Sequence, residues 1–585
     1  MLIVGVSALN HDSACCIIEN GEVIAAVEEE RFSRKKHDPR FPYASLEFCL
    51  RKAGKTYADI DCISFYENEK LKRARQLWSA IHAPEIMSRL NLDGESVVDK
   101  IRTLFGNDKP VKSYSHHMSH AAAARYLSGF NDCAILINDG VGEWETTTMW
   151  DACGGVLNQV ASTHFPHSVG LFYATITGFL GFNVNNDEYK VMGLASYGKP
   201  ALVEKLREII KISETGQIEL DLAYFDFCAG VKMYSEKLSV LLGFTERPAD
   251  SPLSQVHYDL ASSAQYILEE VVVKQLQHLK TLSPSKNLCL AGGVALNCVA
   301  NATIRRSGLY ENVFIPPAAG DSGGAIGAAF LAAQELYDKK NIALVTKGIQ
   351  HCFWGPCVGN HEIVSTLNQL GIGYQSLSRE NCNRKIAADL ADGYVVGIFR
   401  GASEFGPRAL GARSIIADPR NPHAQDRVNL VIKQREKFRP FAPVVLNEYK
   451  HDYFDCDFES PYMTEVCPVK KNANLPAVTH IDGTARIQTV NIHDGNHPFV
   501  ELLKSFYDLT NCPVLLNTSF NLRGEPIVNT IEQALSTFIH SEMDALILEN
   551  HLIYRENIPL NLANIRKPIL SERDDEARTT VYTFF

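Results

Sequence analysis

The stretch LIVGVSALNHDSACCIIENGEVIAAVEEERFS, residues 2–33, decides the fold. Its apolar runs are separated by a polar turn and an Asn-Gly turn, which predicts three strands joined by tight connections. Residues 132–150, DCAILINDGVGEWETTTMW, repeat this design of apolar strand, glycine-rich turn and β-branched strand. A further strand in KNLCLAGGVALN, residues 286–297, ends in paired glycines before a helix-like segment. These elements predict an α/β fold with a weak internal repeat.

The turns between these strands indicate a nucleotide-binding protein. Turns rich in Gly, Asp and Ser present backbone N–H groups to phosphates, and paired glycines let the backbone approach a ribose or a flat ring closely. In this order along the chain, such turns are the arrangement of the actin/hexokinase-like (ASKHA) superfamily. We therefore expect a duplicated ASKHA-type domain in the first part of the chain.

The chain of 585 residues is long enough for several domain-sized units. The strand pattern ends in a polar stretch after residue 337, and a second α/β block, with mixed α+β character, begins before the strand YVVGIF at 394–399. We therefore predict domains at 1–350 and 351–560. Residues 561–585, charged and then aromatic, are expected to form a C-terminal tail.

Composition narrows the class of protein. The opening residues lack the basic head of a secretion signal, and no apolar run reaches the length of a membrane span. The 15 cysteines are scattered and form no CxxC pair, which favours a reduced, cytoplasmic protein over a disulfide scaffold. A net charge of −11 argues against general affinity for nucleic acid, although it leaves room for a local basic pocket.

The segment SHHMSHAAAA, residues 115–124, predicts the start of a helix with His116 and His120 on one face. A pair of this kind either faces a core or binds a metal. Because His117 stands where a metalloprotease HExxH motif has glutamate, the pattern does not indicate peptide hydrolysis. Asp139 and Asp321 follow apolar strands in glycine-rich turns and are the candidates to complete a metal site. Two His and two carboxylates suit Fe²⁺, which we favour, or Mn²⁺ or Zn²⁺.

A basic region lies in the second half of the chain. From Arg400 to Arg439 there are nine Lys/Arg against four Asp/Glu, a local balance of +5. Charge runs are often solvated faces, but here Gly, Pro and Phe interrupt the charges and indicate rigid turns. Arginine forks match phosphate oxygens, so a pocket for polyanionic small molecules is the better interpretation.

Long motifs throughout the chain resemble a known family. The first half resembles the O-carbamoyltransferases that decorate nodulation factors, aminoglycosides and related natural products, in SALNHDSA (7–14), EEERFSRKKHD (28–38), HHMSHAAAA (116–124), DGVGEW (139–144), PHSVGLFYATITGFLGF (166–182), EYKVMGLASYGKP (188–200), LAGGVALNCVAN (290–301) and PPAAGDSGGAIGAA (316–329). The second half resembles the YrdC-like domain of that family, in EFGPRALGARSIIADPR (404–420), IKQREKFRPFAPVV (432–445), DGTARIQTV (482–490) and NTSFNLRGEPIV (517–528).

The resemblance implies a two-stage reaction. In the YrdC-like domain, carbamoyl phosphate, ATP and Mg²⁺ would give carbamoyladenylate, and the first domain would transfer the carbamoyl group to a hydroxyl of a small molecule. For the first stage it implies Arg408, Lys433, Arg486 and Ser519, with Lys433 and Arg486 as catalytic residues, and then Arg413, Arg439, Asn517 and Arg523. For the second stage it implies His11 as general base with Asp12 beside it, the metal on His116, His120, Asp139 and Asp321, adenylate contacts from Gly292, Gly293 and Asn297, and an acceptor cleft with Glu188 and Lys190.

Two other functions remain open at this point. A tRNA threonylcarbamoyl-type enzyme would need a broad basic surface, whereas this chain is acidic. A non-catalytic nucleotide-binding module would not need both half-sites. The expected partners are therefore carbamoyl phosphate, ATP and a hydroxylated small molecule, with no nucleic acid and no membrane, and the architecture is compatible with a homodimer.

Overall fold

The structure is a computed structural model that describes residues 1–82, 96–106, 109–228, 232–249, 251–433, 435–436 and 438–563. These residues form two compact units. The first comprises Met1–Glu30 and His37–His351, and the second comprises Arg31–Lys36 and the described residues from Cys352 onward. Of the predicted tail, residues 564–585 lie outside the described residues.

The first unit is an α/β structure. Its strands are β1 (Leu2–Ser7), β2 (Ala14–Glu19), β3 (Glu22–Glu28), β4 (Cys62–Phe65), β5 (Val111–Ser113), β6 (Cys133–Asn138), β7 (Glu145–Cys153), β8 (Val156–His164), β9 (Ile210–Ile212), β10 (Ile218–Leu220), β11 (Asn287–Ala291) and β12 (Asn312–Phe314). Its helices, with α1 continuing into the second unit, are α1 (Glu30–Ser33), α2 (Tyr43–Ala53), α3 (Glu69–His82), α4 (Val97–Phe105), α5 (His116–Ser128), α6 (Val169–Phe179), α7 (Glu188–Ala195), α8 (Val203–Arg207), α9 (Glu236–Leu242), α10 (Gln255–Leu282), α11 (Cys298–Arg306) and α12 (Asp321–Lys339).

Two five-stranded sheets of the first unit share one topology. The first has the order β3-β2-β1-β4-β5, and the second has the order β8-β7-β6-β11-β12. In each sheet the first three strands along the chain are antiparallel, and the remaining two add in parallel to the first of them. The internal repeat predicted from residues 2–33 and 132–150 is therefore confirmed as two sheets with the same strand arrangement.

Helices α5 and α12 occupy equivalent places in the two halves, because each follows the last strand of its sheet. They pack against each other, α12 also covers β1, β2 and β4, and α5 covers β6 and β11. Small residues make this close packing possible: Ala121–Ala124 of α5 are buried, and a Cβ on Gly327 of α12 would overlap the carbonyl oxygen of Ser119. The alanine run after the histidines therefore fixes how closely the two helices approach.

The second unit has its own core around a mixed eight-stranded sheet, β13-β22-β21-β14-β15-β20-β16-β19. Its strands are β13 (Gln375–Ser376), β14 (Val396–Phe399), β15 (Arg413–Ala417), β16 (Ala442–Leu446), β17 (Val466–Pro468), β18 (Thr484–Arg486), β19 (Gln488–Val490), β20 (Val514–Ser519), β21 (Ala545–Leu548) and β22 (His551–Tyr554). Its helices are α13 (Asn360–Gln369), α14 (Arg379–Ala391), α15 (Ala424–Asp426), α16 (Lys450–Tyr453), α17 (Val500–Thr510), α18 (Ile531–Ile539) and α19 (Leu560–Ala563). A π-helix over Arg427–Ile432 follows α15.

In the part of the chain that the structure describes, no helix has the length and apolar composition needed to cross a membrane. The cysteines are free thiols, and most of them are buried in the cores. The prediction of thiols without disulfides is therefore consistent with the fold.

The contact between α5 and α12 predicts the effect of one substitution. We expect Gly327→Ala to lower the free energy of unfolding by about 1–3 kcal/mol, because the new methyl group meets a main-chain oxygen that cannot rotate away. Gly495→Ala is the matched control, since Gly495 is exposed, its φ lies outside the left-handed region, and a Cβ there has no heavy atom within 4 Å. Thermal unfolding of both variants measures the difference, and equal stability of the two would contradict the packing described.

Candidate functional site

The candidate site of the first unit forms where equivalent ends of its two halves meet. The turn after β1 carries residues 10–12, and the corresponding turn after β6 carries Asp139. Helix α5 begins at His116, and its counterpart α12 begins at Asp321. The duplication therefore collects side chains that are far apart in sequence at one place.

The four predicted metal ligands come together here. Asp139 Oδ2 lies 3.0 Å from His116 Nε2 and 3.4 Å from His120 Nε2, and Asp321 Oδ1 lies 3.5 Å from each of these nitrogens. The two Nε2 atoms are 3.1 Å apart. One donor atom from each residue lies within 4.8 Å of the other three, and all four residues are buried.

The second oxygen of each aspartate is held by a protein donor. Asp139 Oδ1 accepts hydrogen bonds from the amides of Gly140 (2.8 Å) and Gly293 (3.1 Å), and Asp321 Oδ2 accepts one from Asn10 Nδ2 (2.9 Å). Each carboxylate therefore turns its other oxygen toward the imidazoles. A buried set of two nitrogens and two carboxylate oxygens, oriented by outer donors, fits a divalent cation such as Fe²⁺, Mn²⁺ or Zn²⁺.

The charges in this cluster depend on one another. Burial alone would raise the pKa of Asp139, but His116 and His120 hold it well below its usual range. Burial would lower the pKa of His116, but Asp321 and Asp139 raise it to about 9. The same aspartates raise the pKa of His120 against the effect of burial. Two buried carboxylates thus require positive charge at this place, whether from protons or from a cation.

His117, the middle histidine of the motif, points away from this donor set. Thr148 Oγ1 accepts from Trp150 Nε1 at 2.8 Å and lies 3.0 Å from His117 Nδ1, so this threonine holds the ring of His117 in place. Burial holds the pKa of His117 well below its usual value. A Cβ on Gly142 would lie 3.0 Å from the His117 ring, so the glycine gives the ring its space. His117 therefore has a structural role.

His11 and Asp12 form a second cluster together with His37. His11 Nδ1 lies 3.0 Å from Asp12 Oδ2, and His37 Nδ1 lies 2.6 Å from Asp12 Oδ1. Burial would raise the pKa of Asp12, but His37 and His11 hold it well below its usual range. Burial would lower the pKa of His11, but Asp321 and Asp12 raise it to about 10. His11 can therefore act as a base near neutral pH only if the charge of Asp321 is compensated.

The predicted acceptor-cleft residues lie in α7. Glu188 Oε1 accepts from the amide of Asn185 at 2.8 Å, and burial raises the pKa of Glu188. Lys190 Nζ donates to Asp187 Oδ2 at 3.1 Å. The same segment reaches the second cluster, because Asn186 Oδ1 lies 2.9 Å from His37 Nε2. Contact of Glu188 and Lys190 with an acceptor stays a prediction.

The predicted adenylate contacts lie beside Asp139. Gly292 has a φ of +87°, and a Cβ there would overlap the carbonyl oxygen of Asn138, so the position requires glycine. Gly293 donates its amide to Asp139, as described above. Asn297 caps α11, and its amide group pairs with that of Gln265 at 2.9 and 3.2 Å. The two glycines thus let the backbone pack closely against Asn138 and Asp139, whereas the Asn297 side chain is engaged in a buried pair.

In the second unit, Lys433 directly follows the π-helix, a feature that often marks functional positions. Its Nζ is buried and donates to Ser519 O (2.6 Å), Ser519 Oγ (2.9 Å) and Asn521 Oδ1 (2.6 Å). Burial holds the pKa of Lys433 well below its usual value, and the charges of Arg435 and Arg439 add to this. In the described chain, all three acceptors of this lysine are neutral oxygens, which leaves its charge poorly compensated.

Two glutamates lie close to other predicted basic residues or fix the turn that carries them. Glu436 lies 3.5 Å from Arg439 and 4.0 Å from Arg523. Glu404 Oε1 accepts from the amides of Leu410 (2.7 Å) and Ala412 (2.8 Å), which fixes the turn that carries the half-buried Arg408.

The remaining predicted residues differ in their surroundings. Arg486 ends β18 and is half-buried. Arg413 is fully buried, and its guanidinium donates to the carbonyl oxygens of Arg400, Gly401, Ala412 and Pro356. This geometry favours a structural role for Arg413 over the predicted ligand contact. Asn517 Nδ2 donates to Ala409 O and Gln488 Oε1, at 3.0 and 2.8 Å.

Sequence reasoning missed several polar residues at both sites. His37 and Lys36 belong to the motif EEERFSRKKHD, which was assigned no role, and Lys36 contributes to the lowered pKa of Lys433. Asn521 follows Ser519 in the motif NTSFNLRGEPIV. The His-Asp dipeptide of residues 11–12 recurs at 37–38, but it also occurs at 451–452 and 493–494, so it gave no specific signal for His37.

Comparisons with known proteins agree over most of the chain. The family model Carbamoyltransferase N-terminus matches residues 2–330, and Carbamoyltransferase C-terminus matches residues 387–555. The chain is 42% identical over 598 residues to the uncharacterized protein sll1178 of Synechocystis sp., covering 95% of this chain and 97% of that protein. It is 37% identical over 562 residues to nodulation protein NolNO of Sinorhizobium fredii, covering 93% of this chain and 79% of that protein.

Solved structures are more distant. HypF of T. kodakarensis matches 58% of this chain and 49% of its own with a TM-score of 0.32 and 15% identity. An activator of 2-hydroxyisocaproyl-CoA dehydratase from Clostridium difficile matches 58% of this chain and 97% of its own with a TM-score of 0.33 and 15% identity. Since the two family models together cover most of the sequence, the chain belongs to the carbamoyltransferase family and is a carbamoyltransferase.

Proposed function

We propose that this carbamoyltransferase uses ATP and carbamoyl phosphate to form carbamoyladenylate in its second, YrdC-like unit, and transfers the carbamoyl group to a hydroxyl of a small molecule in its first unit. The observation that carries the proposal is the contrast between the metal-ligand cluster of the first unit and the basic cluster around Lys433 in the second unit. The first unit holds buried imidazoles and carboxylates, whereas the second holds a buried lysine among arginines. Two sites of opposite character suit two different chemical steps.

The second unit would bind the polyanionic substrates. Carbamoyl phosphate loses its phosphate to water, and an oxygen of the resulting carbamate attacks the α-phosphorus of ATP. Pyrophosphate leaves with the electron pair of the broken P–O bond, and carbamoyladenylate remains. Lys433, Arg408, Arg439, Arg486 and Arg523 would stabilise the negative charge that builds on the phosphoryl oxygens, with Mg²⁺ neutralising the triphosphate. The low pKa of Lys433 follows from burial without an acidic partner among its hydrogen bonds, and a phosphate would supply that partner.

The first unit would carry out the transfer. His11 accepts the proton of the acceptor hydroxyl, the hydroxyl oxygen attacks the carbamoyl carbon, and AMP leaves with the electrons of the broken C–O bond. Asp12 orients His11 through Nδ1. His116, His120, Asp139 and Asp321 would hold a divalent cation, which when bound supplies a positive charge for the phosphate or the carbamoyl oxygen. Gly292 and Gly293 would let the backbone approach the adenylate.

The donor cluster predicts metal binding. We expect one Fe²⁺ or Mn²⁺ per chain in the full-length protein, and at least 100-fold weaker binding in His120→Ala, since even residues that only orient a ligand contribute 10- to 100-fold. Because the cation compensates Asp321, it should also lower the pKa of His11 from about 10 toward neutrality, so that more of His11 is unprotonated at pH 8. Metal analysis measures the first effect. NMR of labelled histidines with diamagnetic Zn²⁺ in the site, assigned with His11→Asn, measures the second.

A histidine outside the site controls this experiment. His361→Ala changes an exposed residue in α13 and should bind metal as the unsubstituted protein does. Equal metal affinity in His120→Ala and His361→Ala would contradict the assignment of His120 as a ligand.

The assignment of the two reaction steps to separate units predicts that two variants lose different activities. His120→Ala should abolish transfer but keep carbamoyl phosphate-dependent exchange between ATP and pyrophosphate. Lys433→Met should lose at least 100-fold of that exchange, because it removes a charge aimed at the phosphates, yet should transfer from supplied carbamoyladenylate. Lys471→Met, at an exposed position, serves as the control. Loss of both activities in each folded variant would contradict the assignment of the steps to separate units.

The acceptor can be separated from the tRNA alternative directly. We expect incubation with ATP and carbamoyl phosphate to add one carbamoyl group to a hydroxylated natural product, detected by mass spectrometry, and to leave tRNA unchanged, because the chain has a net charge of −11. Modification of tRNA adenosine, with no transfer to any alcohol tested, would replace the proposed acceptor class.

A further inference from the structure

Four polar side chains form a continuous hydrogen-bonded series in the first unit. Asn186 Oδ1 lies 2.9 Å from His37 Nε2, and His37 Nδ1 lies 2.6 Å from Asp12 Oδ1. The other oxygen of Asp12 lies 3.0 Å from His11 Nδ1. Asp12 thus has an imidazole on each carboxylate oxygen, and only one of these imidazoles has a role in the proposed function.

The partners of His37 fix the orientation of its ring. Asn186 Nδ2 donates to Asp187 Oδ1 at 3.3 Å, which turns Asn186 Oδ1 toward His37. Both ring nitrogens of His37 therefore lie within hydrogen-bond distance of an oxygen, one on Asp12 and one on Asn186. His37 and His11 together hold the pKa of Asp12 low in spite of its burial.

The backbone around this series is strained. Leu9, Asp12, His37 and Asn185 have φ values of +64°, +63°, +55° and +63°. Residues other than glycine rarely adopt this region, and such strain persists where surrounding contacts enforce it, often at functional sites. Two hydrogen bonds between main-chain groups enforce it here, from Leu9 N to Pro39 O (2.8 Å) and from Ser13 N to Asp38 O (3.1 Å). The fold therefore holds the turn of His11 against the segment of His37.

We propose that His37 is a positioning residue that fixes the carboxylate of Asp12 and, through it, the imidazole of His11 for attack on the acceptor proton. This inference rests on the proposed role of His11 as general base. With His37 on Oδ1, the Asp12 carboxylate is locked and presents Oδ2 to the Nδ1–H of His11. His11 then keeps the lone pair on Nε2, where it takes the hydroxyl proton.

The test compares two substitutions of His37 in the full-length, metal-loaded protein supplied with carbamoyladenylate. His37→Leu removes the donor to Asp12 and should lower kcat for transfer by about 100-fold, with KM for the acceptor changed by no more than about threefold, since a general base contributes 10²- to 10⁴-fold. His37→Asn keeps an N–H near the position of Nδ1 and should recover most of this loss. His278→Leu, a half-buried histidine of α10, is the control and should be fully active.

A second substitution shows whether the effect passes through Asp12. Asp12→Asn should be as slow as the double variant Asp12→Asn/His37→Leu, because residues that act in one series are not additive. Additive losses would mean that His37 acts elsewhere and would overturn the proposal. Two further results would also overturn the proposal. One is that the unsubstituted protein binds a second metal ion that His37→Leu loses, and the other is that His37→Leu and His37→Asn lose equal transfer activity.

These variants also distinguish the positioning role of His37 from the role of His11 as general base, on which it rests. If His11→Asn is inactive but His37→Leu is fully active, the positioning role of His37 is wrong and the base assignment stands. If His11→Asn is itself fully active, the proposed function of His11 fails first. Should His37→Leu not fold, Asn186→Leu removes the outer hydrogen bond of His37, together with the bond from Asn186 to Asp187, and leaves His37 itself in place. This variant should still slow transfer by about tenfold, and full activity would overturn the proposal.

Discussion

Two carboxylates and two imidazoles share a buried space in the first unit, and their charges must balance there. Asp139 and Asp321 are almost fully buried, so each would be very costly without a positive partner. The protein supplies that partner only because two helix starts and a strand end meet at one point. The duplicated sheets determine where these elements meet, and the close packing of α5 against α12 keeps the two helices near each other. The rest of the first unit is the framework that this charge balance requires.

The second unit meets the opposite problem. Lys433 is buried with three neutral oxygen partners, and arginines lie around it. The side chains that bind Lys433 do not compensate its charge. A buried cation with only neutral partners is expected to favour the binding of an anion. Membership of the carbamoyltransferase family gives this contrast a chemical meaning. Under the proposed function, the basic cluster activates polyanions and the imidazole-carboxylate cluster accepts the activated carbamoyl group.

Much of the first site could be predicted from sequence because its residues follow local rules. His116 and His120 are one helical turn apart, and Asp139 and Asp321 stand in glycine-rich turns after apolar strands. The strand-turn-strand repeat likewise reports the duplicated sheets. What sequence could not supply is the set of partners fixed by tertiary structure. His37 meets Asp12 only because residues 38–39 bond to the turn at 9–13, and no periodicity encodes that contact.

For Arg413, sequence reasoning predicted a ligand contact where the geometry favours a structural role. An arginine in a glycine-rich turn has the pattern of a phosphate ligand, yet both terminal nitrogens of the Arg413 guanidinium donate to main-chain carbonyl oxygens. Composition cannot distinguish an arginine that fixes a loop from one that binds substrate, because both need rigid turns. Only the burial of the guanidinium and the count of its acceptors separate the two.

If the two imidazoles and two carboxylates form one cation site, anomalous diffraction from crystals soaked in Mn²⁺ will locate the metal there, without any assumption about the reaction. We expect a single strong peak within bonding distance of His116, His120, Asp139 and Asp321, which disappears in His120→Ala. A peak elsewhere, or none among these four side chains at saturating Mn²⁺, would show that they do not form a cation site.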